Sequence, residues 1–552
     1  MFRYSIGVLM AAAATLLVAC NDSSSSSSGN GSTSISCDAN VSVTAGGNGV
    51  GSSGYEGLRY FRAGDELCAL DTGAGTSFSV ATNSESTMDL VVTDYERAGG
   101  TLSSPGVVFV ADGHIWYADT ASAAGSVSPR QVSSESDSGD IVEMVLAPDY
   151  QDASKGSLAY HKPGEGWFAV EVDQNSSTDP VSFGDDHIPV GPYYDGDQLT
   201  HWIVRDSSDS RLILVEVPDV ATETVELEEN VGFVSYVGAV ANSDALLAVG
   251  DDFMFLQEGG TDPELVAATG NGADAAGGLI GLGSITSTAL TKDTSIFLGV
   301  QHDDNAVLLE ADAVEGTVEV LFEDGNAGKS SPVLVTANDD SVIMAWSFNL
   351  GQEGHSGVAI VPQGGGNLQT LLVSDDIIIN SPVQGRSGDW VYFNVTDVSD
   401  EDSPEYSARY FNVTDTDDIT TLDDAAWTGS TVNVDSSRTL DYSVDATVDA
   451  VLLIQKQQGE SEDKVLAYDA LDPEGGAVEL GTIPGLTGPV AAIAPIQQLL
   501  GPPTGMGPGR LYVHGQGTDQ TLLYLDTRHS DSLVELIEAD VDDAVINVQG
   551  GF

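Results

Sequence analysis

Two neighbouring turns near residue 400 carry dense groups of oxygen ligands. The first turn holds Asp397, Asp400, Glu401, Asp402 and Glu405, and the second holds Asp415, Asp417 and Asp418. Hard carboxylate oxygens at short spacing are the ligands that Ca²⁺ prefers. The candidate calcium ligands are therefore Asp397, Asp400, Asp402, Asp415 and Asp417. No DxDxDG loop supports this assignment, and a solvated acidic turn is the commoner explanation of such a run.

Eight histidines could supply nitrogen ligands or proton-transfer groups. They stand at positions 114, 161, 187, 201, 302, 355, 514 and 529, and none belongs to an HExxH motif or another close pair. A zinc site is therefore not indicated. We expect four of them at the ends of inner strands, where repeated units could bring them to one channel mouth: His114, His161, His302 and His514. The alternative is that they are ordinary turn or edge histidines.

The first cysteine, Cys20, directly follows a predicted export signal. Residues 1–19 contain Arg3 and a mostly apolar stretch that is too short for a comfortable membrane span. The closing sequence, Leu17-Val18-Ala19-Cys20, resembles the lipobox of bacterial lipoproteins. This resemblance implies that Cys20 carries palmitate-type acyl chains and anchors the protein in a lipid bilayer. An ordinary cleaved signal with an incidental cysteine is the alternative.

Residues 20–35 form a Ser/Gly-rich tether between this anchor and a folded domain over residues 36–552. The low-complexity stretch has almost nothing to bury, which is typical of a flexible linker. In lipoprotein sorting, Asp after the cysteine is the simplest inner-membrane retention signal, and this chain has Asn21 there. We therefore expect an outer-membrane location in the cell envelope, although Asp22 one position later argues against it.

The other two cysteines, Cys37 and Cys68, would lie in a compartment that permits disulfides. We expect them to pair, and the alternative is two buried free thiols. The bridge would close a loop of about thirty residues and contribute roughly 3 to 4 kcal/mol on the chain-entropy model.

The charge balance narrows the range of partners. There are 85 acidic residues against 18 basic ones, giving a formal net charge of −67. Nucleic acid is excluded as a partner because phosphate binding needs clustered Lys and Arg, which here are scattered singly. The acids occur in nearly every turn, which is typical of a halophilic composition that keeps a protein soluble in salt. A cation-binding surface is the functional alternative.

A repeated pattern of short apolar runs and polar turns extends from Tyr55 to Ile537. Gly106–Thr120, GVVFVADGHIWYADT, predicts one hairpin around an Asp-Gly turn. From Ile141 the runs IVEMVLAP, GSLAYHK, WFAVEV and PVSF predict four strands in meander order. Units near fifty residues long cannot bury both faces alone, so they must stack. The tail from Asp543 predicts a last strand that pairs with the N-terminal sheet.

The hairpins resemble those of TolB-like and WD40-like β-propellers, in which a strand, an Asp/Gly turn and a strand ending in Asp recur. The resemblance implies an all-β propeller of four-stranded antiparallel blades. About ten hairpins predict seven to ten blades, with a single ring preferred to two smaller rings. Two segments, 220–229 and 532–539, are candidates for a turn or two of helix.

No GxSxG nucleophile elbow or other catalytic motif occurs, which favours a binding module over an enzyme. We expect a monomeric scaffold that binds an envelope protein or a glycan, with no cofactor beyond calcium. The alternative is a carbohydrate-active hydrolase or lyase with carboxylates at the channel mouth.

Overall fold

In a computed structural model, strands and turns are described between residues 58 and 549, with breaks at many loops. Side chains are described most fully over 155–276 and 295–422. The described strands number 41 and form ten sheets. Apolar runs rich in Val, Ile, Leu and aromatic residues form these strands, and Gly and Asp occupy the turns between them.

The first five sheets are numbered in chain order. Sheet 1 contains β1 (Leu58–Ala63), β2 (Glu66–Asp71) and β3 (Thr76–Ala81). Sheet 2 contains β4 (Leu90–Val92), β5 (Gly106–Ala111), β6 (His114–Asp119) and β7 (Arg130–Gln131), with β41 (Val548–Gln549) added beside β4. Sheet 3 contains β8 (Glu143–Pro148), β9 (Lys155–Lys162), β10 (Gly166–Asp173) and β11 (Val181–Gly184). Sheet 4 contains β12 (His187–Asp195), β13 (Gln198–Asp206), β14 (Arg211–Glu216) and β15 (Glu223–Glu228). Sheet 5 contains β16 (Val234–Ala239), β17 (Ala245–Val249), β18 (Asp252–Gln257) and β19 (Glu264–Ala267).

The second five sheets repeat the pattern. Sheet 6 contains β20 (Leu290–Lys292), β21 (Ser295–His302), β22 (Asn305–Asp312) and β23 (Thr317–Asp324). Sheet 7 contains β24 (Val333–Thr336), β25 (Val342–Trp346), β26 (Ser356–Val361) and β27 (Gln369–Ser374). Sheet 8 contains β28 (Ile377–Ile379), β29 (Val383–Gln384), β30 (Trp390–Asp397), β31 (Glu405–Asn412) and β32 (Asp415–Thr421). Sheet 9 contains β33 (Ser430–Val434), β34 (Ala450–Gln455), β35 (Glu462–Asp469) and β36 (Val478–Pro484), with a short 3-10 helix at Pro473–Gly475. Sheet 10 contains β37 (Gln497–Leu500), β38 (Gly509–Gln516), β39 (Asp519–Asp526) and β40 (Val534–Glu538).

Strand order within the sheets is that of propeller blades. Sheets 3 to 7, 9 and 10 are four-stranded antiparallel meanders in which chain neighbours pair. Sheet 8 differs because its first strand is split into β28 and β29, which both pair with β30. First strands of successive sheets lie against each other, as β12 does against β16 and β20 against β24. The predicted all-β propeller of four-stranded blades is thereby confirmed, while the single ring stays a prediction.

The hydrophobic core lies between the sheets. One cluster joins sheets 4 and 5 through Tyr193, Leu214, Tyr236 and Leu247, and another joins sheets 6 and 7 around Trp346. Further clusters join sheets 2 and 3, 3 and 4, 5 and 6, and 7 and 8. Sheets 3 to 7 therefore bury both faces against neighbouring sheets, which explains why their strand sequences are nearly continuous apolar runs.

The outer pair of strands in most blades contains a register shift. It lies between the third and fourth strands of sheets 3, 4, 6, 7, 9 and 10. A β-bulge increases local twist, and a blade must twist strongly between its inner and outer edges.

Both predicted helical turns are wrong. Segment 220–229 contains β15, and segment 532–539 contains β40. In β15, Val225 and Leu227 pack on the cluster between sheets 4 and 5, and the residues that alternate with them are glutamates. This period-2 pattern is that of an edge strand with one buried face, and it outweighed the helix propensity of Glu and Leu.

The C-terminal strand joins an N-terminal sheet, as the sequence predicts. β41 pairs in parallel with β4, with Leu90 opposite Val548. Within the described residues, no helix has the length and apolar character needed to cross a membrane.

Candidate functional site

One end of sheets 4 and 5 collects side chains that could act on a ligand. We call the following residues the Tyr193 cluster: Tyr193, Asp195, His201, Glu216, Asp244 and Glu258. They lie at the end of the two sheets that contains two kinds of turn, those joining the first strand to the second and those joining the third strand to the fourth. The end of the blade is thus assembled from several short turns rather than from one sequence motif.

Strand register positions the sheet 4 members. Tyr193 lies opposite His201, and His201 lies opposite Glu216 on the next strand. The Tyr193 and His201 rings are 6.2 Å apart between centroids. The neighbouring Thr200 hydroxyl bonds both parts of this pair, donating to the Tyr193 carbonyl at 3.4 Å and lying 3.0 Å from His201 Nδ1. The first three strands of the blade, β12 to β14, therefore carry an aromatic ring, an imidazole and a carboxylate at neighbouring positions across the sheet.

Sheet 5 supplies two carboxylates side by side. Ala245 and Leu256 are register partners, so Asp244 just before β17 and Glu258 just after β18 come close together. The Glu258 N–H donates a hydrogen bond to the Asp244 carboxylate. Because β12 lies against β16, this end of sheet 5 adjoins the Tyr193 end of sheet 4.

The cluster has a buried aromatic base and an exposed acidic rim. Tyr193 is 3% exposed and packs in the core between the two sheets. Asp195, Glu216 and Glu258 are exposed, and Asp244 and His201 are half-buried. The cluster therefore combines a buried aromatic ring with carboxylates that face solvent.

The pKa shifts report a strongly negative potential at this position. Burial, followed by the charges of Asp244, Glu258 and Asp195, raises the pKa of Tyr193 to about 12. Burial and the nearby Glu258 charge also raise the pKa of Asp244, against the N–H bond from Glu258. Burial lowers the pKa of His201, although the Glu216 charge opposes that shift. Burial is the largest cause of all three shifts, and the neighbouring carboxylates raise each pKa further or oppose its lowering.

The sequence after Arg211, which contains Glu216, Asp244 and Glu258, has no basic residue near these carboxylates. Between Arg211 and Lys292 lie 80 residues with 13 Asp or Glu and no Lys, Arg or His. This stretch without basic residues can be found in the sequence, but the charge balance of the whole chain does not reveal it. No described group of three His, Cys, Asp or Glu is spaced to hold a metal ion, so the cluster does not have the geometry of a metal centre.

The opposite end of sheet 4 holds a different group, built around Asp206. This carboxylate is 3% exposed and accepts hydrogen bonds from the Ser208 hydroxyl at 2.6 Å and from Arg211 at 2.9 Å. His187 Nε2 lies 3.7 Å from the same carboxylate. The Ser208 hydroxyl and then the Arg211 guanidinium lower the pKa of Asp206, although burial opposes them. These contacts close a turn, and they satisfy the carboxylate within the protein.

The predicted calcium ligands fall at two ends of one strand. Asp397 and Asp400 lie at the turn between β30 and β31, whereas Asp415 lies opposite Asn412 at the other end of β31. At about 3.4 Å per residue, the eight residues of β31 separate the turns by roughly 25 Å. Asp402 lies outside the described residues, as does the side chain of Asp417. Asp397 and Asp400 therefore lie far from Asp415, and calcium binding at either turn stays a prediction.

Asp397 has a structural contact set of its own. Its carboxylate accepts the Ser399 N–H at 3.0 Å. Hydrogen bonds from Ser399, and then the charge of Arg409, lower the pKa of Asp397. The carboxylate thus stabilises its own turn.

The four histidines expected on inner strands lie on second or third strands of their sheets. His161, His302 and His514 belong to second strands and His114 begins a third strand, all near the turn that joins second to third strands. Second and third strands are the inner strands of a four-stranded sheet, and the convergence of these histidines on one channel mouth stays a prediction. The His161 ring stacks on Trp167 at 5.2 Å, and burial lowers its pKa.

Only one of the two cysteines of the predicted disulfide lies within the described residues. Cys68 on β2 is fully buried and disulfide-bonded. Cys20 and Cys37 lie outside the described residues. The pairing of Cys68 with Cys37 and the lipidation of Cys20 therefore stay predictions.

Comparison with known proteins yields structural similarity alone. No protein-family model matches the sequence, and no curated protein matches it. A crystal structure of a eukaryotic initiation factor is 10% identical, with a TM-score of 0.43, over 88% of this chain and 97% of that one. Prolyl oligopeptidase B from Galerina marginata is 11% identical, with a TM-score of 0.31, over 62% of this chain and 49% of that one. An oligogalacturonate lyase bound to manganese is 11% identical, with a TM-score of 0.31, over 81% of this chain and 98% of that one. Similarity at this level supports no conclusion about activity, and the class of protein is defined by its own sheets: a β-propeller.

Proposed function

We propose that this chain is a lipid-anchored, extracytoplasmic β-propeller that serves as a binding module for an envelope protein or a glycan. The observation that carries the binding function is the Tyr193 cluster, a buried aromatic base under an exposed rim of carboxylates at the end of two blades. The anchor is supported by the lipobox-like sequence that ends in Cys20 and by the Ser/Gly-rich stretch after it. Several acyl chains on one residue would give stable attachment.

The binding function is tested with a soluble preparation of residues 35–552. It is immobilised and used to capture proteins from envelope extracts, and it is applied in parallel to glycan arrays. We expect a discrete protein or glycan to be retained at physiological salt. Failure to retain either would remove the support for a binding module.

The anchor is tested separately in cells. Labelled palmitate should be incorporated into the native chain, which should fractionate with outer membranes, and Cys20→Ser should remove both the label and the membrane association. Label that persists in Cys20→Ser would contradict lipidation at this residue.

A second candidate function is hydrolysis or elimination on carbohydrate, and the Asp244–Glu258 pair favours it. A carboxyl group with a raised pKa beside a second carboxylate is the arrangement used for general acid and base roles. In that case Asp244→Asn should abolish turnover of an oligosaccharide while leaving the fold intact. Retained turnover would exclude Asp244 from the chemistry.

A further inference from the structure

We propose that Asn412 is an N-glycosylation site, with its carboxamide nitrogen as the acceptor for an activated sugar. It lies at the turn between β31 and β32, the two outer strands of sheet 8. Asn412-Val413-Thr414 matches the acceptor sequence Asn-x-Ser/Thr, which marks surface loops of exported proteins. The inference goes beyond the proposed binding function and does not depend on it.

The side chain of Asn412 is held in an Asx turn. Its Oδ1 accepts a hydrogen bond from the Thr414 N–H at 2.9 Å and another from the Thr414 hydroxyl at 2.6 Å. Both bonds use the carbonyl oxygen, and among the described residues the Nδ2 group of Asn412 makes no hydrogen bond. The hydroxyl that the acceptor sequence requires therefore already contacts the carboxamide that would react.

The turn is accessible to an enzyme. Asn412 is half-buried, while Thr414 and Asp415 are exposed. Val413 fixes the turn to the blade, because its side chain packs in the cluster between sheets 7 and 8 and its N–H donates to Asp389 O at 2.8 Å. The backbone is thus held in place while the polar side chains of the turn reach solvent.

The turn itself does not require an amide. Four other strand ends use a carboxylate oxygen for the same bond to the N–H two residues later: Asp206, Asp312, Asp397 and Asp469. A carboxylate on the opposite strand does not exclude aspartate, since Asp397 lies opposite Glu405 much as Asn412 lies opposite Asp415. What asparagine adds to this position is the amide nitrogen, which is the atom that glycosylation uses.

The chain contains a matched second copy of the acceptor sequence. Asn394-Val395-Thr396 belongs to the first copy of the pentapeptide FNVTD, and Asn412-Val413-Thr414 belongs to the second. Asn394 lies within β30, opposite Ala408 of β31, and β28 and β29 pair with the other side of β30. The local sequence is identical in the two copies, and of the two only Asn412 lies at a turn.

The reaction needs one activated sugar, in which the anomeric carbon is bonded to a diphosphate. Asn412 Nδ2 would form a bond to that carbon while the bond from the carbon to the diphosphate oxygen breaks. The proton lost from Nδ2 passes to a base of the transferase. The diphosphate leaves on its carrier, which is a nucleoside or a lipid.

The test is peptide mass spectrometry of the full chain, purified from the cells that produce it naturally. Fragmentation by electron transfer keeps a sugar on its own residue and so identifies the site. We expect a sugar on Asn412 and an unmodified Asn394 in the same preparation. A chain without the export signal, residues 1–19, distinguishes the two carriers. Modification that continues inside the cell would indicate a nucleotide-linked sugar, and its loss would indicate a lipid-linked one.

Matched variants separate the modification from the stability of the turn. Asn412→Asp keeps the oxygen that holds the turn and removes the acceptor nitrogen, so it should fold normally and lose the sugar. Thr414→Ala should also lose the sugar, whereas Thr414→Ser should retain it. Asn394→Gln should leave the modification unchanged. Circular dichroism confirms that each variant is folded.

An unmodified Asn412 in the native chain would overturn the proposal, as would a sugar that persists in Thr414→Ala. Equal modification of Asn394 would also contradict it, because the turn would then have no part in selecting the site. The binding function fails separately. A glycosylated chain that retains no envelope protein or glycan would keep this site and lose that function, and an unglycosylated chain that retains a partner would do the reverse.

Discussion

Aspartates at strand ends stabilise the turns of this protein. Their carboxylates accept backbone N–H groups two or three residues later, which are otherwise left unpaired where a strand ends. The structure contains this contact at Asp206, Asp312, Asp397 and Asp469, and the Asn412 side chain does the same. The recurrence of Asp after each apolar run therefore has a local cause that requires no bound metal.

Asp206 is the most buried of these groups, and its loss should be measurable. Asp206→Ala removes bonds to Ser208 and Arg211, which should cost about 2 to 3 kcal/mol at neutral pH. Because folding lowers the pKa of Asp206, its contribution to the free energy of unfolding is complete above the unfolded-state pKa near 4. That contribution is lost as the pH falls from there through the folded-state pKa. Urea unfolding from pH 7 to pH 3 should show the difference between native chain and variant shrinking.

The control for this experiment lies in the same turn. Asp209 is 67% exposed, and its contact with Arg211 is 3.6 Å long. Asp209→Ala should change the unfolding free energy by no more than about 0.5 kcal/mol. Equal effects from the two variants would contradict the role given to Asp206.

Residue identity alone did not reveal the candidate site. Tyr193, Asp244 and Glu258 come from three separate turns, and only strand register and the contact between two blades bring them together. The pentapeptide FNVTD, which occurs at 393–397 and again at 411–415, shows the same limit. Its first copy ends a strand at Asp397, while the second spans the end of β31, a turn and the start of β32. Identical residues therefore occupy different structures, because pairing with neighbouring strands decides where a strand ends.

At the scale of the strand, sequence patterns were most informative where both faces are buried. The runs GSLAYHK and WFAVEV correspond to β9 and β10, and VIMAW corresponds to β25. Outer strands gave mixed results because they are short and partly exposed: PVSF corresponds to β11, whereas the segment of β15 predicted a helical turn. Their position is set by pairing with the third strand, which a local pattern does not contain.

One outer edge is also covered by a neighbouring blade. The segment after β19 runs along β23, with Gly272 N donating to Val318 O at 2.9 Å and Val318 N donating to Thr269 O at 2.7 Å. Gly270, at φ +105, permits this approach, since a Cβ there would lie 2.4 Å from Val318 O. Covering an edge in this way blocks pairing with other chains.

Close packing inside a blade gives a test at the same scale. A Cβ at Gly357 on β26 would lie 2.2 Å from Trp346 Cζ2 and 2.7 Å from Leu372 O. Gly357→Ala should therefore displace the indole and destabilise the protein by about 1 to 3 kcal/mol. Gly232→Ala is the control, because no atom lies within 4 Å of its added Cβ. Chemical unfolding followed by tryptophan fluorescence should separate the two, and a Gly357→Ala variant as stable as the native chain would contradict this packing.

At the scale of the whole molecule, apolar contacts between blades oppose charge repulsion. Inter-blade clusters provide the attraction, while a net charge of −67 favours expansion.

The architecture could be predicted from the repeat, since about ten hairpins become ten sheets in the described chain. Which blades exchange contacts beyond chain neighbours could not be predicted, because that depends on the twist of each sheet and not on its composition.

Salt should shift this balance in favour of the folded state. Raising NaCl from 0.05 to 1 M shortens the screening length to about 3 Å and weakens repulsion between surface carboxylates. We expect the Tm to rise steadily over this range. KCl at equal ionic strength should give the same rise if screening is the cause. A Tm that is flat or falls with salt would contradict this account.

The pairing of β41 with β4 has a consequence for the order of events during biosynthesis. These strands lie at Leu90–Val92 and Val548–Gln549, so sheet 2 includes residues from near both limits of the described chain. A nascent chain emerging from the ribosome, or threading through a translocation pore, cannot complete that sheet until Val548–Gln549 has emerged. Intermediate blades can form earlier from local hairpins, since each needs only a few dozen consecutive residues. Completion of sheet 2 must therefore follow the synthesis of every blade that lies between β4 and β41 in the chain.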